Sequence, residues 1–297
     1  MSRNIYVKIW GGLGDIALST PIFKELKFRF PASRIIALCR NEKDTQVLKG
    51  NPYIDTLRIL NPYYRGLYKI LEVVGMVKIL YTDYARLRPS FSYKLKAPDI
   101  IAEMIGISLS DNSIQLYLSE EEEANAKATL AAFRNPVILN ITSVTSANQM
   151  WPVEEWNKLV AAMPDCTFIQ LGLPREEKVE GSVDMRGKTS IRESMALVKY
   201  AAGFAGVVSF LSHVTNAFNT RGVVLFGPSS IAVWGHSNNI NVSKHLPCSN
   251  CLAWLRVKCP YGKPCMRRIT VQQVKEAIHQ QLFPSAVGNK NNLTVKM

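Results

Sequence analysis

A chain of 297 residues is long enough for two α/β domains or for one large domain. Its hydrophobic content of 47% supports a full core, and no apolar run approaches the length of a membrane span. We therefore expect a soluble cytoplasmic protein without a signal peptide. The formal net charge of +13 predicts an acidic partner, which could be nucleic acid, an anionic membrane surface or a phosphorylated substrate.

The first predicted elements are a strand over residues 5–10, a glycine turn, and an amphipathic helix that extends to residue 30. A glycine turn at a helix start presents backbone N–H groups to an anion, so Gly12 and Gly14 are candidates for binding a phosphate. Asp15 would repel a phosphate bound there, so it is either solvated or placed for chemistry on a neighbouring group. A dinucleotide site and a turn that only reverses the chain stay open as alternatives.

Residues 58–96 combine eight bases with six tyrosines. A basic, aromatic surface suits a polyanion that carries sugars or bases. Arg65, Arg86 and Arg88 are the predicted contacts to such an acceptor. The alternative is that the bases solvate helix faces while the tyrosines pack beneath them.

Strands and helices alternate along the rest of the chain, which predicts parallel sheets flanked by helices. Strands are predicted over residues 34–39, 57–60, 137–141, 167–171, 206–210 and 222–226. Helices are predicted over residues 67–80, 99–106, 119–133, 191–201, 212–219 and 270–283, with another opening at Pro152. Two sheets facing each other across a cleft are the expected architecture, with a domain of residues 1–134, a second of residues 135–283, and a loose polar tail of residues 284–297.

Four cysteines lie within an 18-residue loop, residues 248–265: Cys248, Cys251, Cys259 and Cys265. A Cys-x-x-Cys pair with two further thiols is typical of a tetrahedral structural metal site. Sulfur ligands alone do not decide between zinc and iron. Four reduced cysteines on a surface loop are the alternative.

Several short motifs, in this order along the chain, resemble glycosyltransferase family 9, the heptosyltransferase-like enzymes. They are Gly12-x-Gly14-Asp15, Trp151-Pro152, Asp184-x-Arg186-Gly187, Ser212-His213 and Leu225-Phe226-Gly227-Pro228. The resemblance implies a GT-B fold of two Rossmann-like domains and an inverting transfer from a nucleotide-diphosphate sugar, commonly ADP-heptose. The N-terminal domain would bind the acceptor and the C-terminal domain the donor. The cysteine loop also resembles a cysteine finger found in some members, where it looks like an iron site.

Inversion needs a base that deprotonates the acceptor hydroxyl, and Asp15 matches the catalytic aspartate of that family. No Asp-x-Asp motif occurs in the sequence, so we expect no catalytic divalent metal. Helix N-termini would then carry the charge of the departing diphosphate. The candidate donor contacts, besides Gly12 and Gly14, are Ser209, Ser212, His213, Gly227 and Ser229. Alternatively, Ser212 is an ordinary helix cap and His213 a buried, hydrogen-bonded histidine.

Two departures from the family pattern fall on the donor side. Gln149 stands where the family often has a lysine that meets the donor phosphates, and Val208 where it often has an acid. The expected acceptor is an anionic saccharide such as lipopolysaccharide core. The alternatives are a related transferase that glycosylates nucleic acid or protein, and a non-catalytic binder of a sugar nucleotide or polyanion.

Overall fold

A computed structural model describes residues 4–73, 78–83, 94–144, 146–249, 251 and 257–283. The first sheet consists of β1 (Asn4–Lys8), β2 (Arg34–Cys39), β3 (Thr56–Ile59) and β4 (Ile79–Tyr81). The second consists of β5 (Pro136–Asn140), β6 (Thr167–Gln170), β7 (Val183–Asp184), β8 (Gly203–Val207), β9 (Gly222–Phe226) and β10 (Asn239–Ser243). The strand orders are β3-β2-β1-β4 and β10-β9-β8-β5-β6-β7, and the pairs within both sheets are parallel. The predicted α/β class with parallel sheets is confirmed.

Among the described residues, six helices accompany the first sheet in sequence: α1 (Leu13–Ser19), α2 (Pro21–Arg29), α3 (Glu42–Leu48), α4 (Pro62–Val73), α5 (Ala97–Met104) and α6 (Glu120–Leu130). The single helix predicted up to residue 30 is divided into α1 and α2, because Pro21 lacks an N–H and is suited to begin a helix. Helix α6 starts at a capping box, in which the Ser119 N–H donates to Glu122 Oε2 (2.8 Å) and the Glu122 N–H donates to Ser119 Oγ (3.2 Å).

In the described part of the second half, six helices follow: α7 (Val153–Ala161), α8 (Ile191–Tyr200), α9 (Phe210–Ala217), α10 (Ile231–Trp234), α11 (Pro264–Arg267) and α12 (Val271–Leu282). Helices α8 and α12 begin at the capping residues Ser190 and Thr270, close to their predicted starts. None of the helices in the described part of the chain is both long enough and apolar enough to span a membrane.

The prediction of one helix over residues 67–80 was wrong. Helix α4 begins earlier, at Pro62, where Asn61 Oδ1 accepts a hydrogen bond from the Tyr64 N–H (2.9 Å). It ends at Val73, and the last predicted residues belong instead to β4, which pairs with β1. The short apolar segment Ile79–Tyr81 is a strand because the edge of β1 is available for parallel pairing, which local periodicity does not reveal. The predicted tail, residues 284–297, lies outside the described residues.

The two sheets share one apolar core. A single cluster of buried side chains includes Val7 and Ile9 next to the first sheet and Ile138 and Ile169 of the second. Helix α6, which precedes the boundary predicted near residue 134, packs against α8 of the second half. The two halves of the chain therefore meet over a buried junction.

Candidate active site

A cleft of about 730 Å³ lies where the carboxyl ends of both sheets meet. From the first sheet it is lined by the segments that follow β1 and β2, and from the second by those that follow β5, β6, β8 and β9. In parallel α/β sheets, ligands bind outside the carboxyl ends of the strands. This cleft is therefore the candidate active site.

Asp15 lies on the first-sheet wall of the cleft, in the first turn of α1. Its Oδ2 accepts a hydrogen bond from the Gly12 N–H (2.7 Å), which fixes the carboxylate against the turn. The partial positive charge of a helix N-terminus stabilises a carboxylate in this position. The strand, glycine turn and helix thus place an acid at the cleft, as their order in the sequence predicted.

Gly14 lets this turn approach the second half closely. A Cβ at Gly14 would stand 3.2 Å from His213 Cδ2 and 3.8 Å from Phe210 Cα. A side chain there would push α1 away from α9. The requirement for glycine at this position is thus explained by contact between the halves, and Gly14 and His213 both line the cleft.

His213 forms a buried pair with His236, in which His213 Nδ1 lies 2.8 Å from His236 Nε2. Burial and the neighbouring ring hold the pKa of His213 well below its usual value. Burial and the charge of Lys96 lower the pKa of His236 to about 4. Both rings are therefore neutral near pH 7, and the N–H of one ring donates a hydrogen bond to the unprotonated nitrogen of the other. Lys96 joins this group across the junction, because its Nζ donates to the Gly235 carbonyl (2.6 Å).

Three buried oxygen atoms on the second-sheet wall lack a hydrogen-bond partner within the described part of the chain: Asn140 Oδ1, Glu176 Oε2 and Ser209 Oγ. All three residues line the cleft: Asn140 is the last residue of β5, whereas Glu176 and Ser209 follow β6 and β8. A buried polar atom without a partner is costly unless a ligand or water satisfies it. The wall is therefore suited to a ligand rich in hydroxyl groups.

Glu176 was missed by the sequence reasoning, although the Asp184-x-Arg186-Gly187 motif holds it in place. Arg186 makes two bonds to the Asp184 carboxylate (2.8 and 2.9 Å), and this pairing keeps the pKa of Asp184 well below its usual range. Arg186 Nη1 also donates to the Glu176 carbonyl. Gly187 has φ +67°, and a Cβ there would stand 2.3 Å from Pro174 Cγ. The motif thus fixes the loop that presents Glu176.

The uncharged side chain of Gln149 is hydrogen-bonded at both its amide oxygen and its amide nitrogen. Ser229 Oγ donates to its Oε1 (2.5 Å), and its Nε2 donates to Ser143 Oγ (3.1 Å). The side chain is only 4% exposed. Among the cleft-lining residues that the structure describes, three others are positively charged: Arg40, Lys43 and Arg175. Arg40 is held by Asp44 through bonds of 2.9 Å from Nε and Nη2, whereas Lys43 and Arg175 are exposed.

The structure brings six of the predicted site residues into one cleft: Gly12, Gly14, Asp15, Ser209, His213 and Ser229. Ser212 is 2% exposed and does not line the cleft; its Oγ accepts from the Ser209 N–H (3.0 Å) and donates to the Ser209 carbonyl (2.7 Å). Gly227 lies instead against α11, since a Cβ there would stand 2.6 Å from Met266 Sδ.

Of the predicted acceptor contacts, Arg65 is exposed on α4 and is not among the described residues that line this cleft. Arg86 and Arg88 lie outside the described residues.

The four cysteines of the loop differ in exposure: Cys251 is exposed, Cys248 and Cys259 are half-buried, and Cys265 is buried. Burial and the other three thiols raise the pKa of Cys265, so the four lie near one another. Within the described residues, however, no three or more His, Cys, Asp or Glu side chains are arranged to hold a metal ion. The arrangement of these side chains does not support the predicted metal loop, and residues 252–256 between the cysteines lie outside the described part.

Comparison with known proteins places this geometry in context. The sequence model of glycosyltransferase family 9 (heptosyltransferase) matches residues 96–261. A family 9 glycosyltransferase from Veillonella parvula DSM 2008 is similar in structure, with a TM-score of 0.72, 18% identity, and coverage of 95% of this chain and 98% of that one. ADP-heptose lipopolysaccharide heptosyltransferase II of E. coli gives a TM-score of 0.73, 15% identity, and coverage of 95% and 99%.

A third similar structure is the iron-containing dodecameric glycosyltransferase TibC from enterotoxigenic E. coli H10407. Its TM-score is 0.72 and its identity 16%, with coverage of 94% of this chain and 76% of that one. TibC is also known in complex with ADP-D-β-D-heptose. These likenesses show a shared two-sheet α/β fold of the heptosyltransferase type. No curated protein sequence matches the chain significantly.

Proposed function

Because this chain belongs to glycosyltransferase family 9, we propose that it moves a heptose-like sugar, with inversion, from a nucleotide-diphosphate donor such as ADP-heptose to an anionic saccharide such as lipopolysaccharide core. One observation carries the proposal. Asp15 on one wall of the cleft faces a second wall where Asn140, Glu176 and Ser209 each present a buried, unpartnered oxygen. A base opposite a wall of hydrogen-bond acceptors is what transfer between two polyhydroxylated molecules requires.

Asp15 is the proposed general base. Inversion needs a carboxylate that takes the proton of the acceptor hydroxyl as that oxygen attacks the anomeric carbon. The bond from the Gly12 N–H to Oδ2 holds the side chain in position for this task (2.7 Å). Neutral His213, packed against Gly14, contributes no competing positive charge next to the base.

The second-sheet wall is the proposed donor site. Ribose and sugar hydroxyls donate hydrogen bonds to carboxylate, amide and hydroxyl oxygens, which is the set that Glu176, Asn140 and Ser209 present. An acid near the end of a strand is a common partner for a ribose in α/β folds. Glu176, on the loop after β6, is therefore the proposed ribose contact.

The experiment compares Asp15→Asn with Asp165→Asn, a matched control whose side chain is 64% exposed and lies in a surface salt bridge. With ADP-heptose as donor, Asp15→Asn should lower turnover by about 10² or more, because the base is lost. The donor should still raise the melting temperature of the variant, since the donor wall is intact. Unchanged turnover in Asp15→Asn would refute its role as the base.

We also propose that Cys248, Cys251, Cys259 and Cys265 hold one structural metal ion, zinc or iron. Support comes from the ligand chemistry of four thiols within 18 residues, a Cys-x-x-Cys pair and two more. When bound, the ion would supply folding free energy to a loop with little core of its own. These cysteines do not line the cleft, so the ion would take no part in transfer.

Elemental analysis of protein purified without chelator tests the metal proposal. We expect about one zinc or iron per chain, falling when Cys251 and Cys265 are changed to Ser. Cys166→Ser is the control, since this thiol lies in the segment before β6, outside residues 248–265. Metal-free protein with an ordered loop, or with two disulfides in its place, would contradict the proposal.

A further inference from the structure

Helix α4 has two unlike faces, and its inner face is fully used by the fold. Tyr68 is 5% exposed, and its ring centroid lies 5.3 Å from that of Tyr6 on β1. Arg58 Nη1 donates to the Tyr68 hydroxyl (2.9 Å). The Tyr81 hydroxyl of β4 donates a hydrogen bond to Glu72 Oε2 (2.7 Å). Packing and hydrogen bonds therefore already fix α4 to the first sheet.

The outer face of α4 consists of Tyr63, Arg65, Lys69, Ile70 and Val73. Its three apolar side chains are strongly exposed, at 73% for Tyr63, 61% for Ile70 and 78% for Val73. Arg65 and Lys69, four residues apart on the same face, are exposed as well. The single acid of the helix, Glu72, is bonded inwards. Within the described part of the chain, the outer face thus combines apolar side chains with positive charge that no side-chain ion pair neutralises.

We propose that the outer face of α4 docks on an anionic lipid surface. A helix with exposed apolar side chains and flanking bases is the arrangement that binds the interface of a negatively charged bilayer. The chain as a whole carries a net charge of +13, which adds long-range attraction to such a surface. A second copy of the chain is a poor occupant, because a symmetric pairing of two α4 helices would bring Arg65 and Lys69 against their own counterparts.

The position of α4 would bring a docked membrane close to the cleft. The helix begins at Pro62, just after the carboxyl end of β3, and the cleft opens along that same edge of the first sheet. A membrane beneath α4 would therefore lie beside the entrance on the Asp15 side. The docking itself does not depend on the transfer reaction and is measured without substrates.

The test is co-sedimentation of the full chain with vesicles. One set is made of phosphatidylcholine alone, and the other of equal parts phosphatidylcholine and phosphatidylglycerol. The chain should bind the anionic vesicles much more tightly, and salt should weaken that binding. Arg65→Gln with Lys69→Gln should lower binding about 30-fold, since each base near an anionic surface contributes about fivefold. Ile70→Ser should lower it about tenfold or more by removing buried apolar area.

Matched controls separate the outer face from general charge and hydrophobicity. Arg267→Gln with Arg268→Gln, on and next to α11, makes the same change in net charge, and Phe28→Ser removes a side chain that is 81% exposed on α2. Both should bind vesicles within about threefold of the unchanged chain. Equal binding to neutral and anionic vesicles, or equal losses in the controls, would overturn the proposal. So would a dimer, formed without vesicles, that Ile70→Ser converts to monomers.

Discussion

Replacing Arg192 by Met should weaken the junction between the two halves more than any surface change. Arg192 lies on α8, is 5% exposed, and donates to both oxygens of Glu122 on α6. It also donates to the carbonyls of Tyr117 (2.8 Å), Gln46 (2.9 Å) and Lys49 (3.2 Å). Met keeps much of the aliphatic volume but removes every one of these bonds. Glu122 would then be left as a largely buried charge without its partner.

The magnitude follows from the pKa of Glu122. Its bonds to Arg192, with desolvation opposing them, lower this pKa from 4.5 to about 2. That difference corresponds to about 3 kcal/mol, and breaking a buried ion pair by removing one partner costs about 3–5 kcal/mol. Because the folded pKa lies below the unfolded one, the stabilisation is fully present above pH 4.5 and is lost as the pH falls towards 2.

Urea unfolding followed by tryptophan fluorescence measures the effect. At about pH 7, Arg192→Met should lower the free energy of unfolding by about 3–5 kcal/mol, and the difference from the unchanged chain should shrink at about pH 3. Arg134→Met is the control, since its salt bridge to Asp165 is exposed (74% and 64%) and should contribute under about 1 kcal/mol. A loss below about 1 kcal/mol in Arg192→Met, or a difference that does not depend on pH, would refute the reasoning.

Two further predictions concern the donor wall. Glu176→Gln should raise the Kd for ADP-heptose about tenfold or more, because a hydrogen bond to a charged group contributes about 1.5–3 kcal/mol. Titration calorimetry measures this Kd. No change in Glu176→Gln, or an equal change in the exposed neighbour Glu177→Gln, would count against the prediction. Gln149→Lys should lower stability by about 1–3 kcal/mol, because it buries an ammonium between Ser143 and Ser229. The anionic ADP should relieve this cost, so its melting-temperature shift should be larger in this variant than in the unchanged chain, and equal shifts would contradict the expectation.

Local signals in the sequence were sufficient for much of the fold. Strands β2 and β9 occupy their predicted residues because buried parallel strands form continuous apolar runs between polar boundaries. Helix α6 starts at Ser119 because its capping box is legible in the sequence. Strands β7 and β10, which lie at the two ends of the second sheet and pair with β6 and β9, were not predicted. Strand β7 has only two residues, which is too few to show a period, whereas the alternation of polar and apolar residues over Asn239–Ser243 was a strand signal that the prediction overlooked.

The residues of the candidate site likewise include some that the sequence predicts and some that it does not. Asp15 could be predicted because the strand, glycine turn and helix that position it are contiguous in sequence. Glu176 could not, because its place depends on Arg186, ten residues later, bonding back to its carbonyl. Ser212 and Gly227 belong to predicted motifs but contact backbone and core instead of the cleft. A motif thus identifies a segment near the site, while burial decides which of its side chains reach the ligand.

The loss of a lysine at position 149 changes how the cleft can stabilise a departing diphosphate. In an in-line displacement, the base and the cations that stabilise the leaving group lie on opposite sides of the anomeric carbon. Arg40 and Lys43 follow β2 and so share the first-sheet wall with Asp15. Among the cleft-lining residues that the structure describes, Arg175 is the cation contributed by the second sheet, and it is exposed beside Glu176. We therefore propose that this exposed arginine, on the loop after β6, takes the role that a lysine at position 149 often has in the family. An arginine can bond two phosphate oxygens at once, so in this proposal the one loop would supply both the ribose contact and the charge for the leaving group.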